Sequence, residues 1–214
     1  MNDVNIARHV NAVNMACEDA AVSYHHGDLR AALVAAGVEA ARHGGESAVG
    51  LNRLAAEVGV SASAAYRHFP GGLDDLLVAV GDVARQGLAD RIVLRMGEVT
   101  RSRDPKTLAS RRFRASGEAY VEYVLEEPGL FQVACRHDRG RSGADPYGLL
   151  EGCIDDLVAA GALPASRRAN AAPAAWAAVH GRGVLLTEGP LRRLDEAQRR
   201  RVVARTLTMV AEGL

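Results

Sequence analysis

Lysine is almost missing from this chain. Of 26 basic residues only Lys106 is not arginine, and 26 acidic residues bring the formal net charge to zero. A neutral chain has no overall field to draw in a polyanion, so any affinity for nucleic acid must come from charges sorted onto one face. Aromatic residues are equally scarce, at 4%, while alanine and leucine abound, which suits packed helices better than strands. The three cysteines (Cys17, Cys135, Cys153) are odd in number and far apart. With no C-x-x-C pair and no Cys/His ligand spacing, neither a disulfide framework nor a structural zinc site is expected. Reduced thiols, no metal and no cofactor are the expectation. No run approaches 18 apolar residues, which excludes an ordinary membrane-spanning helix. The N-terminus shows no basic region followed by an apolar run, so no signal peptide is expected.

What is present is concentrated between Leu51 and Phe69, LNRLAAEVGVSASAAYRHF. Leu51, Leu54, Ala55 and Val58 recur at helical spacing. Gly59 stands where a chain that reverses needs a left-handed residue, and Ser61 is a good N-cap. A second short helix follows, with small residues (Ala62, Ser63, Ala64) at its start and Tyr66, Arg67, His68 and Phe69 at its end. Two helices joined by a tight glycine turn predict a helix-turn-helix, whose second helix enters the DNA major groove by its N-terminal end.

The flanking residues extend the match. YHHGDLR (Tyr24 to Arg30) opens a helix with Leu29, Leu33, Ala36 and Ala40 on one face, HGGESAVGL links it to the pair, and FPGGLDDLLVAV follows. This order resembles the DNA-binding domain of TetR-family transcriptional regulators over roughly residues 24 to 80. AWAAVHGRGVLL (Ala175 to Leu186) is similar to a Trp-x-x-x-His-Gly motif found in one TetR subgroup. Residues 1–23 show no convincing period and read as a flexible tail or a loosely docked helix. The resemblance implies an all-α protein of the bacterial cytoplasm: a three-helix DNA-binding domain (24–72) and a helical effector-binding and dimerisation domain (73–214). It also implies a homodimer on double-stranded DNA, with two recognition helices about 34–36 Å apart on a palindromic operator.

The resemblance places Ser61, Ala62, Ser63, Ala64 and Arg67 at or near bases, Tyr66 and His68 at backbone phosphates, and Phe69 in the core. Asn52 and Arg53 open the first helix of the pair, where side chains or free N–H groups can meet phosphate. Two positions depart from the family pattern. Gly50 stands where a Ser or Thr cap is common. Gly71-Gly72 stand where a Lys or Arg commonly contacts phosphate, so that contact is either lost or made by backbone N–H groups.

Helical periods continue over about Leu73 to Met96, from Pro105 to Glu126, around Leu130 to Ala134, from Pro146 to Ala160, through Trp176 to about Glu188, and from Asp195 to the C-terminus. HDRGRSGAD (137–145) reads as a mobile loop. Trp176 and His180, four apart on one helix face, are either packed core residues or one wall of an effector pocket shared with Phe113, Tyr120, Phe131 and Tyr147. Such a pocket would take a small apolar effector, with Arg182 and Glu188 as candidate polar groups. Val203, Leu207, Val210 and Leu214 form one stripe of the last helix, beside Val202, Thr206 and Met209. Two adjacent stripes exceed what one internal partner needs, and the first is the expected dimer face.

Three function classes compete. The first is a ligand-responsive regulator, a repressor by family habit. The second is a DNA-binding protein without an effector, controlled by abundance or by a protein partner; an internal cavity would separate it from the first. The third is an enzyme, and here no nucleophile elbow, phosphate loop or metal-spaced set exists; Asp155, Asp156 and His180 form no constellation.

Overall fold

The computed structural model describes residues 29–137 and 145–213. The tail 1–23, the Tyr24–Asp28 stretch, most of the expected mobile loop and Leu214 lie outside the described residues. Nine α-helices and three short 3-10 turns make up the fold among the described residues.

The first three helices build the N-terminal core. Helix α1 (Leu29–Gly44) buries Leu33, Val34 and Ala41. It closes on Gly45 at φ 65°, and a 3-10 turn (Glu46–Ala48) leads to α2 (Leu51–Glu57). Gly59 adopts φ 77°, and its N–H and that of Val60 return to the carbonyls of Ala56 and Ala55 at 3.1 and 2.9 Å. Those bonds satisfy orphan carbonyls at the end of α2. Helix α3 (Ala62–His68) starts at Ser61, whose side chain accepts the Ala64 N–H at 3.2 Å. Phe69, 1% exposed, packs in this core with Leu33, Leu54, Ala65, Leu76 and Val80.

Helix α4 (Leu73–Gly97) has 25 residues and so runs for about 37 Å at 1.5 Å per residue. Leu76, Leu77 and Val80 belong to the N-terminal core, while Leu88 and Ile92 belong to a second core. Helix α5 (Pro105–Glu126) begins on Asp104, whose carboxylate accepts the N–H groups of Lys106 and Thr107 at 3.2 and 3.1 Å. Helix α7 (Pro146–Ala159), α8 (Arg168–Thr187) and α9 (Glu196–Gly213) complete the C-terminal region. Asp195 and Gln198 form a reciprocal capping box before α9, with N–H to side-chain oxygen distances of 3.0 and 2.8 Å.

Between the two cores lies α6 (Pro128–Arg136). Leu130, Val133 and Ala134 face the N-terminal core, and Phe131 faces the second. Its first turn sits flush on the end of α1: a Cβ on Gly129 would stand 2.1 Å from the Ala41 carbonyl oxygen. Polar bonds fix the same seam. Arg42 Nε donates to Glu127 at 2.9 Å, the Gln132 side-chain carbonyl accepts the Glu46 N–H at 3.3 Å, and Arg136 reaches Glu46 at 3.2 Å. The buried Arg85 guanidinium donates to the Ala134 carbonyl at 2.7 Å, meeting an orphan acceptor at the end of α6.

Gly129→Ala should therefore destabilise the protein by about 1–3 kcal/mol, as overpacking does. Gly152→Ala, in α7 with nothing within 4 Å of its Cβ position, should be neutral or stabilising by up to about 1 kcal/mol. Thermal unfolding of the two variants checks both.

Candidate nucleic-acid interface and internal cavity

On α3 the side chains of Ala62, Ser63, Tyr66, Arg67 and His68 are exposed, Ala64 is half-buried and Ala65 turns into the core. Ser61 is exposed, but its hydroxyl is already used as the helix cap. Arg67 and His68 make no ion pair among the described residues, so their donors are open to an incoming polyanion. Asn52 and Arg53 are exposed at the start of α2, and Gly50 caps that helix without a side-chain bond.

The Gly71-Gly72 position resolves one alternative. The Gly71 N–H donates to the Asp75 carboxylate at 2.6 Å, and the Gly72 N–H returns to the Phe69 carbonyl at 2.8 Å. Neither N–H is free for phosphate, and an acidic side chain occupies that end of α4. Gly72 holds φ 69° and packs on Tyr66, whose ring lies 3.4 Å from a Cβ at that position.

A compact, largely apolar cavity lies between α4, α5, α7, α8 and α9, with about 40 Å³ of room for the centres of water-sized molecules. Phe113, Tyr120 and Trp176 line it, as the sequence suggests. Phe131, Tyr147 and His180 stand behind that wall: Tyr147 meets Trp176 edge to face at 5.4 Å, Phe131 meets Tyr120 at 6.2 Å, and His180 stacks on Trp176 at 5.7 Å. The Tyr120 hydroxyl and His180 Nδ1 share a hydrogen bond at 2.8 Å. Burial lowers the His180 pKa, favouring the neutral ring, and raises that of Tyr120, keeping its hydroxyl protonated.

Sequence reasoning missed several lining residues, among them Ile92, Arg114, Ser116, Gly117, Leu150 and Val179. The i, i+3, i+4, i+7 pattern of Phe113, Ser116, Gly117 and Tyr120 on α5 is the signal that was available. Arg182 and Glu188 do not line the cavity. Glu188 instead reaches Gln132 at 3.3 Å and Arg136 at 3.6 Å, joining the polar seam beside α6.

Within the expected dimer stripe one residue turns inward: Leu207 is 7% exposed, lines the cavity and packs on its own subunit at Gly117. Val203 is half-buried against the second core, and Val210 against a further cluster around Phe113 and Ile154. Helix α9 therefore uses Leu207 to close its own subunit. The large apolar side chains left exposed on the last two long helices are Leu185 (40%) and Met209 (57%). Among the described residues no helix is long and apolar enough to cross a membrane.

Comparison with known proteins accords with this architecture. Residues 33–80 match the family model for bacterial regulatory proteins of the tetR family, and residues 113–210 match a tetracyclin repressor-like C-terminal domain. A protein of unknown function from Rhodococcus sp. RHA1 superposes with a TM-score of 0.71 at 25% identity, covering 90% of this chain and 98% of that one. A protein assigned to the TetR family of transcription regulators, from Shewanella sp. PV-4, gives 0.56 at 16% identity, covering 86% and 96% of the two chains. A transcriptional regulator from Rhodococcus sp. Rha1 gives 0.50 at 18% identity, with the same coverage. No curated protein matches the chain significantly. An N-terminal helix-turn-helix domain joined to a helical C-terminal domain defines a DNA-binding transcription regulator. The chain belongs to the TetR family.

The lowered pKa of His180 has a measurable consequence. Its unfolded form binds a proton near the ordinary value of about 6.5 while the folded form resists it, so stability should fall as pH drops below that value. His180→Gln should flatten this part of the stability–pH curve between about pH 6.5 and 5. An unchanged slope would show that His180 does not carry the effect.

Proposed function

We propose that this protein acts as a homodimeric repressor, released from a palindromic operator when a small molecule occupies the cavity. The observation that carries this reading is the position of α6. Phe131 touches Tyr120, a cavity wall residue, while its neighbours Leu130 and Val133 pack in the core that supports the helix-turn-helix. An occupant that displaces Tyr120 presses on Phe131, and α6 moves against α1 and α4. The distance between two recognition helices in a dimer then departs from one helical turn of DNA, and affinity falls. The cavity favours this reading over that of an effector-independent regulator, which needs no such space.

DNA contact falls to Tyr66, Arg67, His68, Asn52 and Arg53, with Ala62, Ser63 and Ala64 allowing close approach to base edges. Without a phosphate contact at Gly71-Gly72, affinity rests on few cations, so it should be modest and fall with salt on a shallow slope, which scales with the number of phosphates neutralised. The dimer face is proposed on the outer sides of α8 and α9, around Ala174, Ala177, Leu185 and Met209. The three α8 residues and Met209 are exposed, and the small α8 side chains permit close helix approach.

Tyr66→Ala combined with His68→Ala should weaken binding to the selected operator and to random duplex alike, by about tenfold, because phosphate contacts carry little sequence information. Fluorescence anisotropy at fixed salt measures both; a loss confined to the operator would contradict the assignment. Leu185→Glu with Met209→Glu should yield a folded monomer by sedimentation. An intact dimer would place the interface elsewhere. Phe131→Leu should preserve operator affinity and blunt its response to a cavity ligand; a full response would remove α6 from the coupling route.

A further inference from the structure

The chemistry of the cavity wall narrows what can occupy it, given the reading above that the cavity is the effector site. Among the described residues Arg114 is the one charged residue that lines it. Its Nε lies 2.9 Å from Glu118, and both side chains are partly exposed, at 49% and 39%. The pair therefore neutralises itself at the rim, and among the described residues no further charged side chain lines the wall. An ionic ligand would leave water and meet no counter-charge, which is unfavourable. The remaining wall is aliphatic and aromatic, with Tyr120 and Trp176 edge to face at 5.3 Å.

Two hydroxyl-bearing residues line this apolar surface, one turn apart on α5. The Ser116 hydroxyl donates to the Phe113 carbonyl at 2.7 Å. Its single proton is committed and the Cys153 thiol is a second neighbour, so toward a ligand it offers only an acceptor lone pair. The Tyr120 hydroxyl is paired with His180 Nδ1 at 2.8 Å. With Nδ1 unprotonated, Tyr120 donates to it and its oxygen is left to accept. With Nδ1 protonated in the neutral ring, the imidazole donates and the Tyr120 proton is released. The wall thus presents acceptors, one of which exchanges into a donor by a tautomer change without any net charge. A ligand hydroxyl, itself both donor and acceptor, fits either state.

We infer that the cavity takes an uncharged, ring-bearing alcohol or phenol, its ring against Tyr120 and Trp176 and its hydroxyl read by Tyr120 and Ser116. Tyr120, backed by His180, is the residue that distinguishes such a molecule from a hydrocarbon of the same shape.

Trp176 is the single tryptophan of the chain and lines the cavity, so its emission reports occupancy. The probes are benzyl alcohol, benzoate and toluene, titrated into the full-length protein and followed by Trp176 emission and calorimetry. The alcohol should bind at least tenfold more tightly than the carboxylate. Tyr120→Phe should weaken the alcohol by about three- to tenfold, as loss of one neutral hydrogen bond does, and leave toluene unchanged. Ala175→Phe, which fills the cavity, should abolish binding of all three while thermal unfolding confirms a folded protein. A carboxylate that binds as well as the alcohol, an equal effect of Tyr120→Phe on alcohol and hydrocarbon, or no binding by any probe would overturn the inference. Binding of the alcohol in the expected order with no change in operator affinity would uphold the ligand class and refute the effector reading of the cavity.

Discussion

Adjacent residues of the short helix α6 are built into different cores. Leu130 and Val133 pack with Leu76 and Val80 beneath the helix-turn-helix, while Phe131 packs with Tyr120 and Val124. A nine-residue helix is too short to be stable alone in water, so its existence depends on being held from both sides. The hold is tight: Gly129 leaves no room for a methyl group at the Ala41 carbonyl. Arg85 also fastens the last turn by a bond to Ala134. Close-packed interfaces do not deform continuously, and a displacement of α6 on the cavity side is passed to α1 and α4 rather than absorbed.

The polar seam adds direction to this constraint. Glu46, Arg136 and Glu188 join the turn before α2, the end of α6 and the end of α8. Each exposed pair contributes little by itself, but together they link the C-terminal end of α8 to the segment that positions the helix-turn-helix. The same helix α8 carries Ala175, Trp176 and Val179 on the cavity wall and, on its outer side, the proposed dimer face. Cavity, dimer face and reading head thus meet through two helices, α6 and α8.

Much of the helix-turn-helix was legible in the sequence because its signals are local. Gly59 has the positive φ that its turn requires, Ser61 caps α3 through its own side chain, and Phe69 is buried. The helix boundaries marked by Pro105, Glu127, Gly161 and Gly189 were legible for the same reason. The cavity was half legible: aromatic residues announce themselves, whereas Ser116, Gly117 and Val179 become wall only when α5, α8 and α9 come together. The orientation of α9 was not legible. Two neighbouring stripes are equivalent in one dimension, and only packing against Gly117 shows that Leu207 turns inward. The split allegiance of α6 has no sequence signature, since neighbouring apolar residues do not reveal that they serve two cores.

The claim that the two cores are one mechanical unit is tested most directly by native-state hydrogen exchange, comparing the amides of Leu54 and Leu76 in the N-terminal core with those of Val124 and Leu186 in the second. A shared α6 predicts that both sets open with the same free energy and the same denaturant dependence, as one cooperative unit. If the Leu54 and Leu76 amides exchange through a separate, lower-energy opening while Val124 and Leu186 stay protected, the cores are independent and the account of coupling through α6 is contradicted.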